Sequence, residues 1–289
     1  MRIIEPSELI INPDNSIFHL HMKPEQLAEN IILVGDPGRV EMIAGFLDKI
    51  ESQTENREFV SATGRYGLKR ITVLSTGIGT DNIDIVLNEL DALANIDLQT
   101  RQVKKISKSL NIIRIGTSGG LQGDIPVDAY LASRKAIGFD GLLNFYDHRN
   151  EISDLPFEKA FKSFVGWNVL LPSPYVVEAD YALFDKIVDS DFTPGITISA
   201  PGFYGPQGRE LRLKIVDSLI NDKIEAFRFE EQRITNYEME CSAIYGLSKL
   251  LGHKALTVCI IIANRVSKEA NENYKPVMVK LVKKVLDRI

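Results

Sequence analysis

The stretch "IILVGDPGRVEMIAGFLDKI", residues 31–50, sets the reading of the whole chain. Its first four residues form a branched apolar run, too short for a core helix and suited to a buried strand. Gly35, Asp36, Pro37 and Gly38 break the run, and "VEMIAGFLDKI" after Arg39 has the spacing of a helix with Glu41 in its first turn. A buried strand, a glycine loop and a helix make one half of a βα unit. The same grammar recurs where "LKRITVLST" passes through "GIGTDN" into "IDIVLNELDALA", whose Ile83, Val86, Leu87, Leu90 and Leu93 mark one helical face. Further buried strands are expected at "NIIRIG" (111–116), "GITISA" (195–200) and "KALTVCIIIA" (254–263), with helices at 178–190, 208–219, 240–251 and 275–288. "REFVSATGRYGLKRITVLST" predicts a hairpin that turns near Tyr66-Gly67, and together with strands near 125–139 it makes the sheet mixed. The expected fold is α/β: a single-domain three-layer α/β/α sandwich over residues 1–289, with a basic, polar surface insertion at 95–110.

A chain of 289 residues with 44% hydrophobic content has ample material for a core. Thirty-four basic against thirty-nine acidic residues leave a net charge of −5, which offers no general attraction to nucleic acid. An anionic ligand must be drawn in by local arginines. Cys241 and Cys259 stand in or beside apolar runs and read as small core residues. The amino-terminal residues lack a signal-like apolar core and no run reaches the length of a membrane span, so a cytoplasmic protein with no membrane partner is expected.

Four polar loops sit at expected strand ends: "GDPGR" (35–39), "GIGTDN" (77–82), "GTSGG" (116–120) and "ANR" (263–265). In an open α/β sheet this rim is where ligands bind. Gly77-Ile78-Gly79 begins like a dinucleotide fingerprint, but Asn82 stands where the third glycine should fall. "GTSGG" satisfies a nucleophile elbow around Ser118 in letters only, because Gly123 and Pro126 argue against the helix that must follow. His19, His21, His148 and His253 form no recognised ligand cluster, so no metal centre is expected from them.

Arg39, Arg57, Arg114, Arg209 and Arg265 all fall beside expected strand ends or turns, and each alone reads as an ordinary surface or structural arginine. Arg39 and Arg114 differ because each accompanies a loop whose backbone N–H groups can join the guanidinium in holding a tetrahedral anion. Strand alternation sends Ile113 and Ile115 to one side and Arg114 to the other, and Thr117 offers a hydroxyl to the same anion. Phosphate or a phosphorylated ligand is the local reading. "GFYGPQGRE" (202–210) supplies Phe203 as a flat surface, a turn at Gly205-Pro206, then Gln207 and Arg209. It suits a heterocycle with adjacent carbonyl and N–H groups, such as uracil, or else is a plain capped turn. "NYEME" (236–240), read alone, is an acidic cap before a core helix.

Taken in order, "SIFHL", "LVGDPGRV", "NREF", "STGIG", "LNEL", "IRIGTSGG", "GFYGPQGR", "NYEME" and "ANR" make the chain resemble the nucleoside phosphorylases of the purine nucleoside phosphorylase/uridine phosphorylase type, and among them the uridine phosphorylases. The resemblance implies a phosphorylase/hydrolase-like fold and reversible phosphorolysis of a nucleoside to base and sugar 1-phosphate. It implies no cofactor, inorganic phosphate as co-substrate, and phosphate contacts from Gly35, Arg39, Arg57, Arg114 and Thr117. His19, Met239 and Glu240 are implied at the ribose, and Phe203, Gln207, Arg209, Glu238 and Arg265 at the base. Arg39, Arg114, Glu240 and Arg209 are the residues on which catalysis would turn. His19 and Arg57 are implied to reach a neighbouring subunit's site, making a homodimer the minimal unit and a hexamer the larger option. Glu58, Ile71 and Ser75 align with a monovalent cation site of some relatives, for potassium or sodium.

The sequence departs from the family at three places. Thr80-Asp81-Asn82 replaces a Gly-Pro-Ser-like turn, which sets Asp81 close to the expected phosphate unless it faces away at the helix start. "DIPVDAY" replaces a more glycine-rich strand entry, and the 95–110 insertion is longer than in compact members, which favours a dimer over a ring of dimers. Purine use is disfavoured because Ala263-Asn264-Arg265 stands near the point where purine enzymes place an aspartate. A nucleosidase that uses water, a purine nucleoside phosphorylase and a non-catalytic nucleoside-binding protein are the competing readings.

Overall fold

In the computed structural model, which describes residues 2–289, the opening stretch folds as a strand, a capped turn and a short helix. The chain groups into two compact units, one of residues up to 78 with 82–113 and 251–253, the other of 79–81, 114–250 and 254–289.

In the first unit β1 (Asn30–Val34) is buried over its last four residues and is followed by Gly35 and by Asp36, the cap of the next helix. The Asp36 carboxylate accepts the Gly38 N–H at 3.0 Å, and Pro37 opens α1 (Pro37–Ala44) with its φ already set. α1 stops six residues before the expected end at 50, and Lys49 and Ile50 instead begin β2 (Lys49–Asn56). β2 is polar and largely exposed, an edge strand without an apolar signature. It turns at Arg57 and Glu58 into β3 (Phe59–Tyr66), which turns at Gly67, φ +58°, into β4 (Lys69–Ser75). β1 pairs with β4 in parallel, while β4 with β3 and β3 with β2 are antiparallel. α2 (Thr80–Asn95) buries the expected face from Ile83 to Leu93. Beyond it β5 (Ile96–Asp97) and β6 (Gln102–Val103) form a small antiparallel ribbon within the 95–110 stretch. That stretch is fastened by Lys104 Nζ on the Ala94 carbonyl at 2.9 Å and by Asn95, which bonds Lys108 through both ends of its amide.

β7 (Asn111–Gly120) leads into the second unit, followed by β8 (Tyr130–Gly138), α3 (Arg149–Ile152), α4 (Leu155–Val165), β9 (Tyr175–Glu178), α5 (Tyr181–Ile187) and β10 (Phe192–Ser199). Then come α6 (Ile220–Ala226), β11 (Arg228–Phe229), β12 (Gln232–Glu238), α7 (Cys241–Leu251), β13 (Lys254–Asn264) and α8 (Lys275–Arg288). β12, β10 and β8 run parallel, and β13 pairs antiparallel with β8 and lies beside β7. Asn236 and Tyr237 of β12 pair antiparallel with Gly120 and Gly119 of β7, so these five strands close into a ring. The sheet is mixed, as expected. Phe157 and Phe161 of α4 pack with Phe139, Phe227 and Tyr237 in a buried aromatic cluster.

The helix expected over 208–219 is absent, and a helix begins only at Ile220. Gly208 takes a left-handed φ of +70°, and Leu211, Leu213 and Val216 are 76%, 80% and 89% exposed. A helix of that length needs a buried face, and these side chains have no surface to lie on. The strand β12 was not expected, because its residues had been read only as the approach to α7.

Candidate active site

β7 continues as a strand to Gly120, so Ser118 lies inside it and not at a strand-to-helix elbow. Strand alternation puts Arg114 and Gly116 on one face, and the Arg114 side chain folds back over Gly116. A Cβ at Gly116 would lie 2.0 Å from Arg114 Nη1, so glycine is what lets the arginine lie there. The guanidinium is buried. Its Nη2 donates to Glu240, its Nη1 lies 3.3 Å from Glu238 Oε2, and Nη1 also reaches Cys259 Sγ at 3.6 Å. Burial pulls the Arg114 pKa down, but Glu240 and then Glu238 outweigh it and the net shift is upward, so the cation is held charged. Glu240 also accepts the Gly79 N–H at 2.8 Å.

β12 ends on Glu238, and Glu240 follows just before α7. Glu238 accepts the N–H groups of Glu240 at 2.9 Å and Cys241 at 3.0 Å, at the free amino end of α7. The Ser199 hydroxyl donates to it at 2.5 Å. Both Glu238 oxygens are thus engaged by the protein and the side chain is 1% exposed, which leaves no face toward a base. Met239, between the two glutamates, is partly exposed, and Thr117 on β7 likewise.

The loop 202–209 and the end of β13 bring together Phe203, Gln207, Arg209 and Arg265, residues that the resemblance places at the base. Arg209 Nη1 donates to Gln207 Oε1 at 2.6 Å and Arg265 Nη2 to the same oxygen at 3.1 Å. Both lone pairs of that oxygen are used, so the buried Gln207 amide can offer only its N–H groups to a further partner. Arg209 also lies over the Phe203 ring, 3.8 Å from its centroid, and Arg265 over Tyr237 at 5.1 Å. Among the described residues neither arginine has a carboxylate partner. Burial, then the neighbouring charge of Arg265, brings the Arg209 pKa down to about 10, and burial lowers that of Arg265. Asn264, where a purine enzyme's aspartate is expected nearby, is spent on structure: its amide donates to Gln122 O and Ile125 O, and its oxygen accepts Val266 and Ser267 N–H.

In the first unit Gly35 abuts the Gly77 carbonyl, and Arg39 is buried in the first turn of α1, its N–H on Asp36 O at 3.0 Å. Arg57 is exposed in the two-residue turn between β2 and β3 at φ +56°. His19 is held close to it, since Asn56 donates to the His19 carbonyl at 2.8 Å. Glu89 accepts the His19 and Leu20 N–H groups and takes His19 Nδ1 at 2.6 Å, a partner that the sequence reading did not anticipate. The Ser75 hydroxyl donates to the Glu58 carbonyl, and the Glu58 carboxylate takes the Asn82 amide at 3.2 Å; Ile71 lies buried in β4. Asp81 is exposed in the first turn of α2, where the helix dipole favours an anion.

Ser199, Gly116 and Cys259 were missed as supports of the Arg114 centre. Only Gly116 left a signal, as the residue two after a strand arginine on the same face. Among the described residues no helix is long and apolar enough to cross a membrane, and no group of three histidine, cysteine or acidic side chains is placed to hold a metal ion.

Comparison with known proteins places the chain in a family. The sequence is 28% identical over 254 residues to a uridine phosphorylase of Thermococcus kodakarensis, covering 87% of this chain and 79% of that one. It is 27% identical over 245 residues to a DeoD-type purine nucleoside phosphorylase of Listeria monocytogenes, covering 84% and 85%. The fold superposes on the crystal structure of a Trypanosoma brucei nucleoside phosphorylase described as showing uridine phosphorylase activity, with a TM-score of 0.88, 30% identity, and coverage of 97% and 98%. The pattern of the phosphorylase superfamily matches residues 29–289, and the chain belongs to that superfamily.

Proposed function

We propose that this protein is a uridine phosphorylase, a pentosyltransferase that converts uridine and phosphate reversibly to uracil and ribose 1-phosphate. Deoxyuridine and thymidine belong to the same substrate class. The observation that carries the reading is the Gln207 amide held by Arg209 and Arg265 with no acid beside them. Such a site presents only donors, which suit the two carbonyls of uracil and the negative charge that the base acquires as it leaves. It has no acid to protonate a purine, and Asn264 is already used by the backbone around it. The Trypanosoma brucei neighbour supports the pyrimidine reading, whereas the Listeria relative keeps the purine reading in the test.

In the proposed reaction a phosphate oxygen bonds to the anomeric carbon while the carbon–nitrogen bond breaks and its electron pair goes to the base. Positive charge grows on the sugar, beside the Glu240 carboxylate and the Met239 side chain. Arg209 and the Gln207 N–H groups stabilise the departing base, with Phe203 and Arg265 keeping them in place. Phosphate is assigned to Arg114, Thr117, Gly35, Arg39 and Arg57. Rate enhancement then comes from positioning and from donors set before the charge develops.

His19 and Arg57 are assigned to the site of a neighbouring subunit in a homo-oligomer, which fits their closeness at the β2–β3 turn. Glu58, Ser75 and Ile71 offer only oxygens to a cation, as a potassium or sodium ion prefers; Ile71 and Ser75 lie four residues apart on β4, so the proposed ion site takes its ligands from more than one protomer. A cytoplasmic location is part of the same proposal.

Uridine incubated with phosphate is expected to give uracil and ribose 1-phosphate. Equally fast cleavage without phosphate, giving free ribose, would identify a nucleosidase. Inosine cleaved faster than uridine would identify a purine enzyme. Arg57→Ala and Glu240→Ala proteins, each inactive, are expected to regain activity when their subunits are mixed. Absence of recovery after demonstrated exchange removes the shared site.

A further inference from the structure

The Arg114 centre is not an open anion receptor. Its guanidinium already touches two carboxylates, and the side chains of Arg114, Glu238 and Glu240 are 6%, 1% and 4% exposed. With both carboxylates ionised the trio carries one net negative charge. A phosphate arriving at Arg114 meets that charge in a medium that screens poorly. Glu240 has a task at the sugar in the function proposed above. Glu238 has none that its geometry allows, because its oxygens face Arg114, two N–H groups of α7 and the Ser199 hydroxyl.

We infer that Glu238 is a positioning residue that acts through Arg114: it seats the guanidinium while the site is empty and takes up a proton when an oxyanion binds, which releases the charge of Arg114 to the ligand. The inference rests on the phosphate reading of the site. It replaces the base contact expected for Glu238 from the sequence.

The groups that face Glu238 leave it as the one to titrate. Arg114 comes from β7, Glu240 and Cys241 lie just beyond β12 and at the start of α7, Ser199 ends β10, and Cys259 sits on β13. Burial pushes both thiols upward, Cys259 to about 12, so they stay neutral. Asp140 lies one serine away, where Ser242 donates its N–H to Ser199 and its hydroxyl to Asp140. Burial raises the Asp140 pKa too, but Tyr175 and the Leu142 N–H hold its carboxylate. Glu238 is pushed up to about 7, chiefly by burial, with Arg114 pulling down and Glu240 pushing up. A nearby anion pushes it further the same way. Uptake therefore occurs at and above pH 7 and vanishes near pH 5.5, where the group already carries its proton.

Calorimetric titration of the full-length protein with inorganic phosphate, in buffers of different ionisation enthalpy, counts the protons. Comparison with Glu238→Gln cancels the protons that phosphate itself exchanges. At pH 8 the wild type is expected to take up more protons than the variant and to bind phosphate more weakly. Its affinity falls up to about tenfold more per pH unit, the slope of one linked proton. At pH 5.5 the two proteins coincide, and the KM for uridine is unchanged. Ser199→Ala, which removes a donor to the ionised form, moves the uptake window to higher pH and serves if Glu238→Gln does not fold. Equal proton counts in wild type and variant, no shift with Ser199→Ala, or a rise in the uridine KM would overturn the inference while phosphorolysis persists. A protein that neither binds phosphate nor cleaves uridine with it would overturn the underlying reading as well.

Discussion

Two arginine sites in the second unit are built on opposite principles. Arg114 is sealed from water and fixed between carboxylates, whereas Arg209 and Arg265 share one amide oxygen and have no counter-charge. The first pairing raises the pKa of its guanidinium; in the second, burial lowers both, and the charge of Arg265 lowers Arg209 further. An arginine with its acids in place is structure as much as site, since its removal strands two charges. A pair of arginines without acids contributes little to folding, and in the proposed function it is completed by a ligand that brings carbonyls or negative charge. Under that proposal the contrast separates residues that hold the protein together from residues that wait for the substrate.

Arg114→Met is expected to break the contrast most severely. It leaves Glu238 and Glu240 buried and unpaired, with a loss of about 3–5 kcal/mol of stability in urea unfolding. Uridine phosphorolysis should fall by about 1000-fold or more, since an anion contact and the seat of Glu240 vanish together. Arg209→Met is expected to lower kcat/KM for uridine by about 100-fold while stability stays within about 1 kcal/mol. A large loss of stability there would erase the distinction between the two sites. Gly116→Ala touches no ligand but drives a methyl into Arg114, for an expected loss of about 1–3 kcal/mol and a reduced affinity for phosphate at unchanged uridine KM. The smallest effect belongs to pH. Burial and the charge of Arg265 lower the Arg209 pKa, so at alkaline pH, beyond the loss caused by ionisation of uridine itself, turnover should decline more steeply in the wild type than in Arg209→Met. Parallel alkaline profiles of the two proteins would show that the charge of Arg209 does not matter.

What could be read from the sequence follows from how locally each feature is encoded. β1, α2, the Gly67 hairpin, β13, α7 and α8 carry apolar periods or turn residues, and they stand where expected. β2 was invisible because "KIESQTEN" is a polar edge with nothing to bury on its outer side. The segment 208–219 misled because leucines at Leu211 and Leu213 imitate a core-facing pattern, although the structure leaves them in solvent. At the site, the amino-acid types told which groups gather but not which way each points. The meeting of Gln207 with Arg209 was legible from their spacing, and Arg265 joins them across 58 residues. Glu238 illustrates the limit. Its letter is one of a pair of glutamates, and only the structure shows that both turn to Arg114, Glu238 held by Ser199 and the start of α7 and Glu240 by the Gly79 N–H.

Asn264 bears on how such a protein could change its diet over evolution. One nucleotide change converts an asparagine codon to aspartate, so an acid for purine chemistry seems close at hand. In this fold the new carboxylate would point an oxygen at the carbonyls of Gln122 and Ile125, which now receive the amide's hydrogens. The mutant would have to reshape the turn after Gly120 before gaining any benefit. Under the proposed function, a lineage starting from this chain would then need several coordinated substitutions in place of one to move from pyrimidines to purines.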